Sequence, residues 1–158
     1  MNQSSVSAPA ERSGFRIHPP LLAAVLLLAT LIIHLLTGHP AVALHHLLGL
    51  LLVAGGIGLS FFAAALFQAS KTTKNPYGEP SVLVGQMPYT FTRNPMYLGF
   101  VAALLGLAVF FGSLVMVAAP VIFVLTIDRL VIPAEEAAME RSFGEAYREY
   151  KASVRRWL

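Results

Sequence analysis

Two short polar stretches hold the residue types that bind charged ligands, and both border long apolar segments. The first is Tyr89-Thr90-Phe91-Thr92-Arg93-Asn94-Pro95-Met96-Tyr97-Leu98-Gly99. Asn94 suits a helix N-cap, because its side chain can accept a bond from a free backbone N–H. Pro95 suits the first helical position, where its missing N–H costs nothing. A helix starting there sets partial positive charge beside Arg93, a place for a carboxylate or a polarised ligand. The same residues also read as a capped helix start with a membrane-surface arginine, and Tyr89 and Tyr97 as part of an interfacial aromatic belt. The second stretch is Glu135-Glu136, followed by Phe143-Gly144, Tyr147 and Tyr150. Alone, the two glutamates read as the acidic first turn of a helix after Pro133.

The elements that must position these residues are membrane helices. Only 12% of the 158 residues are charged against 56% hydrophobic. Soluble domains carry about 25% charged residues, so this chain cannot cover a surface in water. There is no cysteine, which excludes disulfides, thiolate metal sites and thiol nucleophiles. Residues 1–19 read as a mobile cytoplasmic tail, and 20–158 as one membrane domain. Apolar runs predict four transmembrane helices, at about 21–36, 42–69, 95–111 and 114–132. An amphipathic cytoplasmic helix is expected over 133–154, with Met139, Phe143, Tyr147 and Tyr150 on one face. Arg155-Arg156-Trp157 reads as an interfacial anchor. The fold class is thus all-α. Gly99, Ala103 and Gly106 fall at helical spacing and predict a flat, close-packing face on the third span. Arg12, Arg16, Lys71, Lys74, Arg93 and the basic residues after span four all fall on one side of this arrangement. The positive-inside rule then sets both termini in the cytoplasm, and with them both polar stretches.

The order Tyr-x-x-x-Arg-Asn-Pro-Met-Tyr-x-Gly, an apolar span, Glu-Glu, then Phe-Gly-x-x-Tyr-x-x-Tyr resembles the integral-membrane methyltransferases. These comprise the isoprenylcysteine carboxyl methyltransferases and the related phospholipid N-methyltransferases. The resemblance covers about half the chain, from Asn75 onward. It implies S-adenosylmethionine as methyl donor, a lipid or lipidated acceptor in the bilayer, no metal and no nucleic acid. It maps donor contacts onto Val82, Leu83, Val84, Tyr89, Arg93, Asn94, Pro95, Met96 and Tyr97, and onto Glu135 and Glu136. A carboxylate of the pair would hold the donor's amino group, and Arg93 with the start of span three its carboxylate. No catalytic acid or base is implied. Arg129 matches an arginine that meets substrate in the carboxyl methyltransferases; it also reads as a local partner of Asp128 or as snorkelling to the interface. Carboxyl methylation is the first expectation, since a carboxylate is already ionised and no residue is an obvious base for an ammonium. Amine methylation is the alternative.

The chain departs from the carboxyl methyltransferases in carrying Asn94 where they commonly have histidine, and Met87 where a glycine often precedes the proline–tyrosine pair. A reading of another class rests on the five histidines. Four of them, His34, His39, His45 and His46, map around the first hairpin, where they could bind a metal or haem in a non-enzymatic protein. Of the glutamates, Glu136 is the expected donor contact, and Glu136→Gln is expected to leave stability nearly unchanged, as for an exposed first-turn acid.

Overall fold

The computed structural model describes residues 17–37, 44–72 and 86–158, and these residues contain helices and no strand. The helices are α1 (Pro19–Thr37), α2 (Leu44–Thr72), α3 (Pro95–Phe110), α4 (Val115–Phe143) and α5 (Glu145–Ser153). Helices α1 and α4, and α2 over His45–Ala69, are long and apolar enough to cross a membrane; α3 is apolar but shorter. At about 1.5 Å per residue α3 spans roughly 24 Å, less than a hydrocarbon core of about 30 Å. The large apolar side chains of α1 and α2 point outward, Leu36 at 81% and Phe61 at 74% exposure among them. Bilayer, which needs no polar cover, suits such a surface.

The close pairing is between α2 and α3, and its cause is the absence of side chains. A Cβ placed on Gly99 would lie 2.2 Å from Ser60 Oγ and 2.4 Å from the Gly56 carbonyl oxygen. One on Gly56 would lie 2.5 Å from the Gly99 carbonyl oxygen. The contact repeats two turns along, where Gly106 meets the backbone of Gly49 and Val53. Backbones meet directly, as the small-residue face on the third span predicts. Ser60 Oγ also donates to the Met96 carbonyl at 2.9 Å, tying the start of α3 to α2. On the other side, Ala23 of α1, Leu104 of α3 and Ala119, Phe123 and Ile127 of α4 form the buried core.

Helix α4 differs from the expected boundaries. The fourth predicted span and the start of the predicted amphipathic helix are one continuous rod through Pro133. Pro133 has no N–H to give to the carbonyl four residues back. The strain is absorbed just before it by a π-helical turn over Ile127–Val131, whose closing bond runs from the Ile132 N–H to the Ile127 carbonyl. The rod breaks instead at Gly144, where φ is +57° and ψ −124°, a conformation that requires glycine. The helix predicted over 133–154 is therefore divided between the end of α4 and α5. That fold-back turns Tyr147 and Tyr150 inward, while Phe143 stays exposed.

Candidate cofactor site at the α3–α4–α5 junction

The start of α3 is held by hydrogen bonds other than those its sequence suggests. Pro95 does open the helix, but Asn94 makes no side-chain cap bond. Its Nδ2 donates instead to the Arg156 carbonyl at 3.0 Å, and its backbone N–H to Thr92 Oγ1 at 3.2 Å. Thr92 Oγ1 in turn donates to the Arg156 carbonyl, and the Arg93 N–H to the Arg155 carbonyl at 2.9 Å. Residues 154–158, extended beyond α5, thus strap the loop that begins α3.

Beneath the strap lies a cluster of charges. The carboxylate of Glu136 is 3.2 Å from Arg93 Nη2, 2.9 Å from Arg156 Nη2 and 3.5 Å from Lys151 Nζ. Lys151 also meets Glu140 at 2.8 Å, and Arg156 meets Asp128 at 3.2 Å. Trp157 Nε1–H donates to the same Asp128 oxygen at 3.0 Å. The acidic neighbours raise the Lys151 and Arg156 pKa values, hydrogen bonds to Glu140 and to Glu136 respectively being the main cause. Glu136 is buried, and three cations of the chain itself satisfy it. It is not an exposed helix-start acid, nor an open site for an ammonium ligand.

Glu135, its neighbour, is exposed. Tyr97 Oη donates to Glu135 Oε1 at 2.7 Å, and among the described residues no side chain bonds its other oxygen. Tyr97 and Tyr89 are buried rather than part of an aromatic belt. Tyr89 Oη donates to the Ala63 carbonyl at 3.1 Å, and Tyr150 Oη to the Tyr89 carbonyl at 2.8 Å. Burial pushes the Tyr89 phenol up to about 12, and that of Tyr150 up as well.

These side chains surround a cavity of about 370 Å³, bounded by Phe67 of α2, residues 89 and 93–97, Glu135, Glu136, Ala138 and Met139 of α4, and Tyr147 and Tyr150 of α5. The volume falls in the range of about 300–1,000 Å³ usual for small-molecule sites. Among the lining residues Phe67, Pro95, Met96, Ala138 and Met139 are apolar, and Arg93, Glu135 and Glu136 carry charge. Arg93 is the telling residue. Its side chain keeps 9% of its surface, its two terminal nitrogens are engaged by Glu136 and the Lys151 carbonyl, and its Nε has no partner among the described residues. A buried donor left unbonded is costly, and a ligand acceptor in the cavity would relieve it.

The cavity's helices fall largely within the stretch that identifies the chain. Residues 44–146 match the family model described as phospholipid methyltransferase. This chain belongs to the phospholipid methyltransferase family. It is an integral-membrane protein of a methyltransferase family. It is also similar to an uncharacterized protein of Haemophilus influenzae, 40% identical over 63 residues, which is 40% of this chain and all of that protein. No solved structure matches.

Of the residues mapped from the family resemblance, the structure brings together Tyr89, Arg93, Asn94, Pro95, Met96, Tyr97, Glu135 and Glu136. Val82, Leu83 and Val84 lie outside the described residues. Arg129 is exposed on the π-helical turn and does not line the cavity. Asp128 is held by Arg156 and Trp157. Side chains adjacent in a helix do not face each other, which is why the local Asp128–Arg129 pair does not form. Arg156 and Trp157 are likewise turned inward as partners of Asp128 and are not a free interfacial anchor. For the histidine reading, His34 lies against Phe111 and His46 against Phe110 with tilted rings, His39 lies outside the described residues, and no metal-binding group of three or more ligands exists among the described ones. Sequence reasoning missed Thr92, Asp128, Lys151 and Arg156 as parts of the site. The available signal was Asp128, an acid inside an apolar run, which by itself demands a partner.

Proposed function

We propose that this protein transfers a methyl group from S-adenosylmethionine to an acceptor dissolved in the bilayer. The observation that carries the reading is the buried Arg93 Nε, without a partner among the described residues, in a cavity also lined by Glu135 and by Glu136, the latter already paired with the chain's own cations. The donor is a zwitterionic amino acid at one end, so an arginine and a carboxylate across one cavity suit it. Arg93 and the start of α3 would take its carboxylate, and the open oxygen of Glu135 its ammonium group. Glu136 serves to hold Arg93 in place. Phe67, Met96 and Met139 offer the apolar contacts that keep water from the reacting centre. The donor's sulfonium supplies an activated methyl group, so the chain's task is alignment and the exclusion of water.

For the acceptor we favour an amine-bearing lipid, which takes the methyl group as the neutral amine after its ammonium has lost a proton to water, and leaves S-adenosylhomocysteine behind. Family membership supports it. Arg129, the residue that would meet a substrate carboxylate, lies away from the cavity, which counts against the carboxyl methyltransferase reading. We also propose that both termini are cytoplasmic, which reporters fused at Leu158 and His39 would test by landing on opposite sides. Purified protein in liposomes containing phosphatidylethanolamine, given donor with a labelled methyl group, should yield label in an N-methylated headgroup, from which alkali releases no labelled methanol. Label in an alkali-labile methyl ester of a prenylated cysteine supplied alongside would return the carboxylate reading. Absence of label from every lipid fraction would overturn methyl transfer to a bilayer acceptor.

A further inference from the structure

The strap is bonded to the rest of the protein in two different ways. Toward the α3 loop it offers backbone carbonyls: Arg155 accepts from the Arg93 N–H, and Arg156 from Thr92 and Asn94. Toward α4 it offers side chains: Arg156 to Glu136 and Asp128, and Trp157 to Asp128. Arg156, Trp157 and Asp128 do not line the cavity, whereas Arg93 does. The strap therefore has no direct contact to offer a cavity ligand, yet it holds the backbone of Arg93 and helps neutralise the Glu136 carboxylate that holds the guanidinium.

We infer that residues 154–158 set the cavity's affinity for the methyl donor, with Arg156 as a positioning residue that acts through Arg93. The inference rests on the donor reading above. Docked, the strap fixes the loop that carries Arg93, a cavity-lining residue whose Nε has no partner among the described residues. Undocked, Glu136 retains only Arg93 and Lys151, and the Thr92–Asn94 loop loses its carbonyl partners. Coupling of this kind is reciprocal: if a docked strap favours the ligand, the ligand must favour the docked strap.

The sequence makes this measurable, because Trp157 is the sole tryptophan. The probe is S-adenosylhomocysteine, titrated calorimetrically into full-length detergent-purified protein while Trp157 emission is followed. Arg156→Gln should raise its Kd and the donor KM about tenfold, within the usual range of such couplings. The kcat at saturating donor should stay within about threefold, and Arg156→Lys should recover part of the loss. Asp128→Asn should shift Trp157 emission to the red without ligand, and saturating S-adenosylhomocysteine should reverse the shift. If Arg156→Gln does not fold, Asp128→Asn carries the same comparison. A wild-type Kd in a variant whose emission is red-shifted would overturn the strap's role, as would an unshifted Asp128→Asn. Failure of the unmodified protein to bind the probe would overturn the donor reading and the strap's role with it, whereas binding that the variants leave unchanged overturns the strap's role alone.

Discussion

Arg93 Nη2 lies 3.2 Å from Glu136 Oε1, and the two side chains keep only 9% and 7% of their surface. One belongs to the loop before α3 and the other to α4, and their opposite charges are neutralised together. Breaking such a buried pair leaves an unpaired charge and costs about 3–5 kcal/mol. Glu136→Gln should accordingly lower the thermal midpoint of the purified protein clearly, in contrast to the small effect expected of an exposed helix-start acid. Glu136 paired with Arg93 and Arg156 retains no role as the donor's direct contact if donor affinity falls no further than this destabilisation explains. Thermal unfolding with and without S-adenosylhomocysteine checks both points.

Glu135 is expected to behave oppositely. It is exposed, and among the described residues its side chain bonds only Tyr97, so Glu135→Gln should change stability by less than about 1 kcal/mol. A hydrogen bond to a charged group is worth about 1.5–3 kcal/mol, so S-adenosylhomocysteine should bind roughly ten- to a hundredfold more weakly. Tyr97→Phe, which frees the carboxylate to rotate, should give a smaller loss in the same direction. An unchanged Kd in calorimetry, with a raised KM for the lipid acceptor, would move Glu135 from the donor to the acceptor.

The glycine seam allows a matched pair of substitutions. Gly99→Ala places a methyl group 2.4 Å from the Gly56 carbonyl oxygen and should cost about 1–3 kcal/mol by forcing α2 and α3 apart. Gly55→Ala, on the same helix as Gly56 but with nothing within 4 Å, should be neutral or gain about 0.5–1 kcal/mol in helix propensity. Because Ser60 and Met96 join at this seam, Gly99→Ala should also impair methyl transfer. Denaturation midpoints of the two variants in one detergent would settle the comparison.

Burial raises the Tyr89 phenol from an ordinary value of 10.0 to about 12. A group whose folded pKa exceeds its unfolded one adds stability that is complete below the unfolded value and is lost as pH rises through the folded one. Stability should therefore be insensitive to Tyr89 below about pH 10 and decline between roughly pH 10 and 12. Tyr89→Phe should flatten part of that alkaline limb, Tyr150 accounting for another part. It should also lower stability at neutral pH, since the bond to the Ala63 carbonyl is lost. Unfolding midpoints measured from pH 8 to 12 provide the check.

Much of this protein is decided locally and is legible in the order of its residues. The apolar segments specify membrane helices because every backbone polar group in lipid must be bonded within its own segment. Pro95 marks the start of α3 because a proline ring fits there without loss. Gly99, Ala103 and Gly106 mark a close-packing face because helical spacing alone sets them in one row. Tyr97, Arg93 and the two glutamates stand out because polar residues at apolar boundaries are costly.

Tertiary structure alone decided which partner each of these residues takes. From the sequence, Asn94 is an N-cap, Glu136 a first-turn acid and Arg156 a surface anchor, since each assignment uses only neighbours along the chain; the family resemblance alone makes Glu136 a ligand contact. In the folded protein the glycine at 144 folds α5 back, and the strap beyond it reaches Thr92, Arg93 and Asn94 across about sixty residues. Asn94 then becomes a donor to the strap, Glu136 the centre of an ion cluster, and Glu135 the carboxylate facing the cavity. Charges and hydrogen bonds act over a few ångströms in space regardless of their separation along the chain. One residue's shift around a helix, some 100° between Glu135 and Glu136, decides which of two identical side chains is buried and which remains exposed.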